Sequence, residues 1–333
     1  MKIVVKRKIP ANYDERDKVF FQREFVREIE EPSSLTIRNA FITSQGIVYS
    51  KFSVVKASLV PDIPNDLNVL HLIAQMIKKR KIKWTGTKTP SVVFDYWYKG
   101  YFHWMTEALP RILYLKKLGN DFIPVVPNDA ATPFIQKTLL PFDFDSLGWI
   151  KPGEYLFARK ALLVRHTAPT GNCNEDLIRE LRTLFRRYFA GAIAAHPVDR
   201  IYVSRLRSNR RRVINEGDVS ALLREFGFVT LYFEDYSFEK QVQLTANAAM
   251  LISIHGAGLT NMLFMNAQTS VLEFRPKDDH TNLCYFALAS ALDLNYYYQF
   301  GEPEQNTKSI HDDLFIDLAK LKENVERMLS QPK

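Results

Sequence analysis

Cysteine is nearly absent from this chain: Cys173 and Cys284 are the only two in 333 residues. Two thiols cannot build a disulfide framework or a four-ligand zinc site, and their scarcity fits a reducing compartment. Long apolar runs are missing too, since none reaches the roughly 18 to 20 residues that a membrane span requires. The opening MKIVVKRKIP carries basic residues without the apolar core and cleavage site of a secretory leader. The sequence thus places the chain in the cytoplasm. No internal repeat and no low-complexity tract occurs.

What is present is a globular composition, 46% hydrophobic, long enough for two domains of about 150 residues each. The formal charge of +8 and a pI near 9.2 call for an anionic partner: a phosphorylated small molecule, an acidic lipid surface or nucleic acid. The densest basic run, SRLRSNRRR (204–212), is short and local. Nucleic-acid binders spread charge along a face, so the run favours one phosphorylated ligand.

From residue 200 to 300, short apolar strands (IYVS, VTLYF, MLISI, VLEF, YYYQF) alternate with helix-period segments at 215–226, 237–247, 259–265 and 282–292. Asn215 and Ser237 stand where helix N-caps belong, and Gly227 where a helix stops. This alternation predicts a parallel sheet covered on both faces. The first half opens with period-two alternation over 34–60 around Gln45-Gly46, a hairpin signal. A helical segment at 65–80, the strand SVVFD, an aromatic loop and the helix FHWMTEALPRILYLKKL come next. FIPVV and ALLVRH read as further strands, Asn174 caps the helix EDLIRELRTLFRRYF, and a long helix over 312–329 closes the chain. The expected organisation is one domain over 1–170, a second over 171–308, and a tail, 309–333, whose helix packs back toward the first. Both are α/β, facing a cleft, with a β-rich N-terminal preface. In such sheets ligands bind beyond the carboxyl ends of the strands.

Several residues stand there. In MLISIHGAGLTNMLF (250–264), His255, Gly256, Ala257 and Gly258 end a strand and open a helix. Either the glycines make a turn open to glycine alone, or they let the amides of Ala257, Gly258 and Leu259 cradle a diphosphate at the positive end of the helix. Asn261 replaces the third glycine of a dinucleotide fingerprint, which counts against a nicotinamide cofactor. Glu273 ends the next strand, where a carboxylate can accept both hydroxyls of a ribose. Arg205 follows RIYV, and its planar fork suits phosphate oxygens; of the arginines that come after, Arg210 is the expected second contact. In GYFHWMTEALPR, His103 and Glu107 are four apart and share a helix face. An imidazole beside a carboxylate is a candidate general base, and no third ligand nearby suggests a metal. Asp278-Asp279 reads as a pair of surface acids.

In chain order, YFHWMTEALPRIL, IYVSRLRSNRRRVINE, FEDYSFEKQVQL, SIHGAGLTNMLFM and VLEFRP resemble glycosyltransferase family 61, and in particular its bacterial members of capsular or surface polysaccharide synthesis. The resemblance covers most of residues 92–300. It implies a GT-B fold of two Rossmann-like domains, and inverting, metal-independent transfer from a nucleotide-sugar donor to a hydroxyl of a glycan or lipid-linked saccharide, with no cofactor. It assigns Arg205, Arg210, His255, Gly256, Ala257, Gly258, Leu259 and Glu273 to the donor, with Glu234 lining the base or ribose pocket. His103 and Glu107 become base and orienter in either order, because relatives carry aspartate where this chain has Glu107. Donor identity does not transfer within the family. The competing readings are an inactive relative that binds a nucleotide or polysaccharide, and an NAD-dependent dehydrogenase. Nucleic acid is not an expected partner, and the basic charge suits peripheral binding at the inner face of an anionic membrane.

Overall fold

The computed structural model describes residues 1–60, 79–189, 198–277, 282–304 and 311–331. Most of the helix expected at 65–80, and the Asp278-Asp279 pair, lie outside them. The chain forms two compact units, one of Met1–Ile3 with Ile29–Leu177, the other of Val4–Glu28 with Ile178–Lys333. The first differs from the expected 1–170 domain because residues 4–28 are tied elsewhere. The Ala11 amide donates to the Tyr296 carbonyl, Asn12 donates to the Tyr298 carbonyl and to Asn324, and Phe21 packs on Phe286 and Tyr298.

The N-terminal unit carries an eight-stranded mixed sheet. Its parallel part pairs Thr89–Val92 with Phe122–Pro127 on one side and with Glu154–Val164 on the other. The β-rich preface joins this same sheet, with Ser34–Thr43 antiparallel to Glu154–Val164. The turn at Gly46 needs its glycine: φ is +77°, and a Cβ there would sit 2.3 Å from the Phe94 carbonyl oxygen. Arg80, where the helical segment was expected to end, instead opens the strand Arg80–Lys83, parallel to the start of Glu154–Val164.

The C-terminal unit has the expected parallel sheet. In spatial order the strands are Val229–Leu231, Arg200–Val203, Met250–Ile254, Ser270–Pro276 and Asn295–Pro303, all parallel, with Leu314–Phe315 antiparallel at the edge. Numbered by chain position the parallel strands run 2-1-3-4-5, a doubly wound order. Its direction reverses between Arg200–Val203 and Met250–Ile254, which opens a crevice at their carboxyl ends.

The tail departs from expectation. Both the amide and the carbonyl of Ile316 bond the Asn215 side chain, which holds the backbone extended there and takes Asn215 away from capping. Asp317 then accepts the Ala319 and Lys320 amides and starts the helix at Leu318–Leu329. The apolar stripe of that helix, Leu321, Val325 and Met328, lies in one core with Tyr202, Leu223, Ile252 and Phe274. The closing helix, expected to pack back toward the first domain, therefore packs into the core of the C-terminal unit.

Candidate functional site

In the N-terminal unit the helix after the aromatic loop runs in three stretches: Tyr101–His103 α-helical, Trp104–Ala108 a π-helical turn, and Leu109–Lys117 α-helical again. Pro110 accounts for the widened turn, because it has no N–H to return to the preceding turn and its ring crowds the carbonyl four residues back. The Leu109 amide reaches instead to the Trp104 carbonyl, five residues back. Such turns are rare and gather at functional sites.

His103 and Glu107 flank this turn, with His103 Nδ1 2.9 Å from Glu107 Oε1. The carboxylate is buried, with its side chain only 5% exposed, and the Gly171 amide also donates to Oε1 at 3.3 Å. The imidazole is 27% exposed and lies against the Trp97 ring at 4.4 Å. Gly100 gives it room, since a Cβ there would be 2.9 Å from His103 Cδ2.

Behind the pair lies a charge cluster that sequence reasoning missed. Arg111, one further helical turn on and fully buried, donates through Nε to the Val164 carbonyl and stands 3.6 Å from Asp95. His166 Nε2 meets the same Asp95 oxygen at 2.9 Å. Burial pulls Arg111 down to about 10 even with Asp95 and Glu107 beside it, so it stays protonated at neutral pH. Burial, then Arg111, hold His166 below its ordinary value against the pull of Asp95. Burial would raise the Asp95 carboxyl, but His166 and Arg111 more than offset it, and its pKa is lowered. Glu107 Oε2 and both Arg111 Nη atoms are buried without a hydrogen-bond partner among the described residues. Asp95 and His166 each lie just past the carboxyl end of a parallel strand, so the rule that singled out Arg205 could have found them too.

In the C-terminal unit, Arg205 and the His255–Gly258 segment stand on the two strands that bound the switch point. The two glycines are not there for backbone freedom. Gly256 is extended, with φ 169°, yet a Cβ on it would sit 2.7 Å from Arg205 Nη1; one on Gly258 would sit 2.9 Å from Val203 Cγ1. They make room for the neighbouring strand end and its arginine. That arginine is braced by its own loop, through Nη2 to Ser208 Oγ at 2.8 Å and Nε to the Arg211 carbonyl at 3.3 Å.

Ala257 and Gly258 open a 3₁₀-helix, Ala257–Phe264, whose first amides have no acceptor within the helix. The tighter helix changes one expectation. The Leu259 amide already donates to the Gly256 carbonyl at 3.0 Å, so it is not part of an anion cradle.

Of the clustered arginines, Arg207 pairs with Asp235 and lies over the Tyr232 ring, while Arg212 pairs with Asp313. Arg210 is exposed, and the loop engages it only through its carbonyl, 3.5 Å from Arg205 Nη2. Arg211 is the one that turns inward. It is half-buried in a left-handed conformation, φ 58°, with Nε lacking a hydrogen-bond partner among the described residues. Burial, then Arg205, lower its pKa. Burial also holds His255 below its ordinary value, and Arg275 and Arg211 push the same way against Glu273. His311 is lowered by burial and by Arg210, Arg211 and His255. Exposed Glu234 acts on Arg205 through its charge.

Glu273 does not reach a ribose. It is wholly buried: Oε1 is 2.5 Å from His255 Nδ1, Oε2 accepts from the Tyr296 hydroxyl at 2.5 Å, and Arg275 stands 3.6 Å away. Burial would raise its pKa, but Arg275 and His255 lower it. Its work is to hold His255, whose ring also packs edge-on against Tyr285. Guanidinium groups thus converge at the switch point, and the Glu273 carboxylate behind them is spent inside the protein.

A doubly wound sheet with convergent cations at its switch point is the design of a nucleotide- or phosphate-binding α/β domain. The family model Glycosyltransferase 61 matches residues 101–272, which is 172 of the 333 residues, and the chain belongs to that family. The protein O-linked-mannose beta-1,4-N-acetylglucosaminyltransferase 2 of Takifugu rubripes is 35% identical over 118 residues, 33% of this chain and 20% of that protein. The protein of the same name from Homo sapiens is 36% identical over 108 residues, 30% and 19% respectively. The chain thus matches about a fifth of the length of these curated relatives, and they are animal proteins rather than the capsular type expected from the sequence.

Proposed function

We propose that the chain is an inverting, metal-independent glycosyltransferase on the GT-B plan, moving a sugar from a nucleotide-sugar donor to a hydroxyl of a glycan acceptor. The observation that carries this reading is the cluster of Arg205 and Arg211 beside His255 at the switch point of the C-terminal sheet, with exposed Arg210 adding to its positive field. A leaving diphosphate gathers negative charge as the glycosidic bond to it breaks. Fixed guanidinium groups and helix-start amides stabilise that charge more than they stabilise the ground state.

The acceptor hydroxyl attacks the anomeric carbon from the face opposite the diphosphate, and its proton passes to His103 Nε2. Accessibility supports one assignment of the roles left open in the sequence. Glu107 is buried and holds Nδ1–H, whereas the imidazole is the exposed member and is the base. Arg111 keeps a positive charge behind Glu107, and Asp95 with His166 keeps Arg111 in place.

The names of the relatives make N-acetylglucosamine and a mannose-bearing acceptor the first pair to try, ahead of a capsular saccharide. Thermal stabilisation across nucleoside diphosphates and nucleotide sugars tests the donor site, since saturation at about 100 times Kd adds about 2.7 kcal/mol of stability. A flat response to the whole panel rejects it. Transfer that persists in EDTA supports metal independence, and its loss refutes that part. His103→Ala is expected to cut turnover by roughly 10²- to 10⁴-fold while leaving nucleotide affinity unchanged; near-wild-type turnover removes the base assignment.

A further inference from the structure

Away from both clusters, the N-terminal sheet ends in an unusual hairpin. Val48–Ser50 pairs with Ser53–Val54, and Ser50 faces Ser53, so Lys51 and Phe52 alone form the turn. Both are left-handed, with φ 50° and 61°. A two-residue turn with both φ positive ordinarily takes Asn-Gly, because side chains with a Cβ crowd there. This chain instead carries a lysine and a phenylalanine, and Phe52 stands 78% exposed at the tip.

The tip adjoins a basic surface. The Ser50 hydroxyl donates to the Arg38 carbonyl at 2.7 Å, and Arg38 is paired in register with Lys160, two like charges directly opposed. Arg38, Lys51, Lys56, Arg159 and Lys160 are all exposed, and none forms an ion pair with a described residue. No aspartate or glutamate occurs between Ser34 and Ser58 or between Tyr155 and Val164, so these stretches hold no counter-charge; the strand's own Glu154 accepts from the Lys151 amide.

Each of the two features weakens the isolated fold, and each suits one partner. We propose that this end of the N-terminal sheet docks on an anionic lipid surface, with Phe52 entering the headgroup boundary and Arg38, Lys51, Lys56 and Lys160 facing acidic headgroups. An aromatic ring at a turn tip gains by leaving water at that depth, and neighbouring cations gain from the negative surface potential. A polyanion such as nucleic acid would use the cations but not the apolar tip, and the lipid surface uses both. The proposal stands apart from the transfer reaction. If both hold, docking keeps the enzyme where membrane-borne acceptors are.

Sedimentation of the full chain with zwitterionic vesicles, with and without about a third of acidic lipid, tests this. Binding is expected only with acidic lipid and is expected to weaken with salt. Arg38→Ala with Lys160→Ala is expected to lower partitioning about 25-fold, near five-fold for each charge. Phe52→Gly gives the sharper test, because glycine relieves the left-handed turn: melting temperature is expected to rise while vesicle binding falls. A simple structural role would not separate the two. Failure to bind acidic vesicles, or variants that bind like the wild type, overturns the proposal. So does a charge variant that loses affinity for RNA while vesicle binding is unchanged.

Discussion

Glu273 gives the sharpest test of how the proposed donor site is built. If its carboxylate received a ribose, Glu273→Ala would weaken nucleotide binding and leave the empty protein as stable as before. The geometry requires the opposite order of effects. His255 and Tyr296 lie 2.5 Å from its two oxygens and Arg275 3.6 Å from one of them, and every one of these side chains is buried. Truncation leaves Arg275 without this counter-charge and takes the acceptor from the Tyr296 hydroxyl and from His255. Breaking a buried ion pair by removing one partner costs about 3–5 kcal/mol, and the stranded donors belong to the same non-additive network, so about 4 kcal/mol is a fair total. For a unit of this size each kcal/mol moves the melting temperature by about 2–4 °C, which gives a fall of roughly 8 to 16 °C. Thermal unfolding of ligand-free Glu273→Ala beside the wild type measures it. A melting temperature within about 2 °C of wild type, with a clear loss of nucleotide affinity, would refute the positioning role and restore the ribose contact.

Gly256→Ala is expected to dislodge Arg205, because the new Cβ would sit 2.7 Å from its guanidinium. Nucleoside diphosphate affinity should then drop about ten-fold, the scale of a lost charged hydrogen bond, and Arg205→Ala added on top should cost little more; full additivity in titration calorimetry would mean the two do not share a contact. Stability should also decline on mild acidification. His166 and His255 have folded-state pKa values below the ordinary 6.5, so their contribution is complete above that pH and is lost as pH falls toward the lowered values, at up to about 1.4 kcal/mol per pH unit for each. A urea midpoint that stays level or rises between pH 7.5 and 5.5 contradicts this. Arg111→Met leaves the buried Asp95 and Glu107 carboxylates without their shared cation, and should cost about 3–5 kcal/mol of stability in denaturant titration; an unchanged midpoint would show the cluster to be slack.

The alternation of strand and helix from 200 to 300 was legible because a parallel sheet buried on both faces leaves continuous apolar runs. The same property hid the role of Glu273. Every residue of Ser270–Pro276 is buried, so nearness to a strand end did not say whether the carboxylate met ligand or protein. Arg210 and Arg211 lie in a loop with no periodicity, so nothing in the pattern separated half-buried Arg211, left-handed at φ 58°, from exposed Arg210. Leu259 was assigned a free amide on the assumption of an α-helix, whereas a 3₁₀-helix closes its first bond one residue sooner. The His103 and Glu107 contact was readable from their spacing. Asp95 and His166 come from distant strands, and only the folded sheet brings them to Arg111.

The π-helical turn at Trp104–Ala108 makes the His103–Glu107 contact sensitive to chain length as well as to side-chain identity. Loss of one residue there would let the helix close with ordinary bonds, and the residues before the deletion would rotate by about 100° relative to those after it. With a residue lost between them, His103 and Glu107 would stand three apart rather than four, and the imidazole would meet the carboxylate from a different angle although each residue was still present. Among natural variants, single-residue insertions and deletions in this stretch should therefore be borne less well than most of its substitutions.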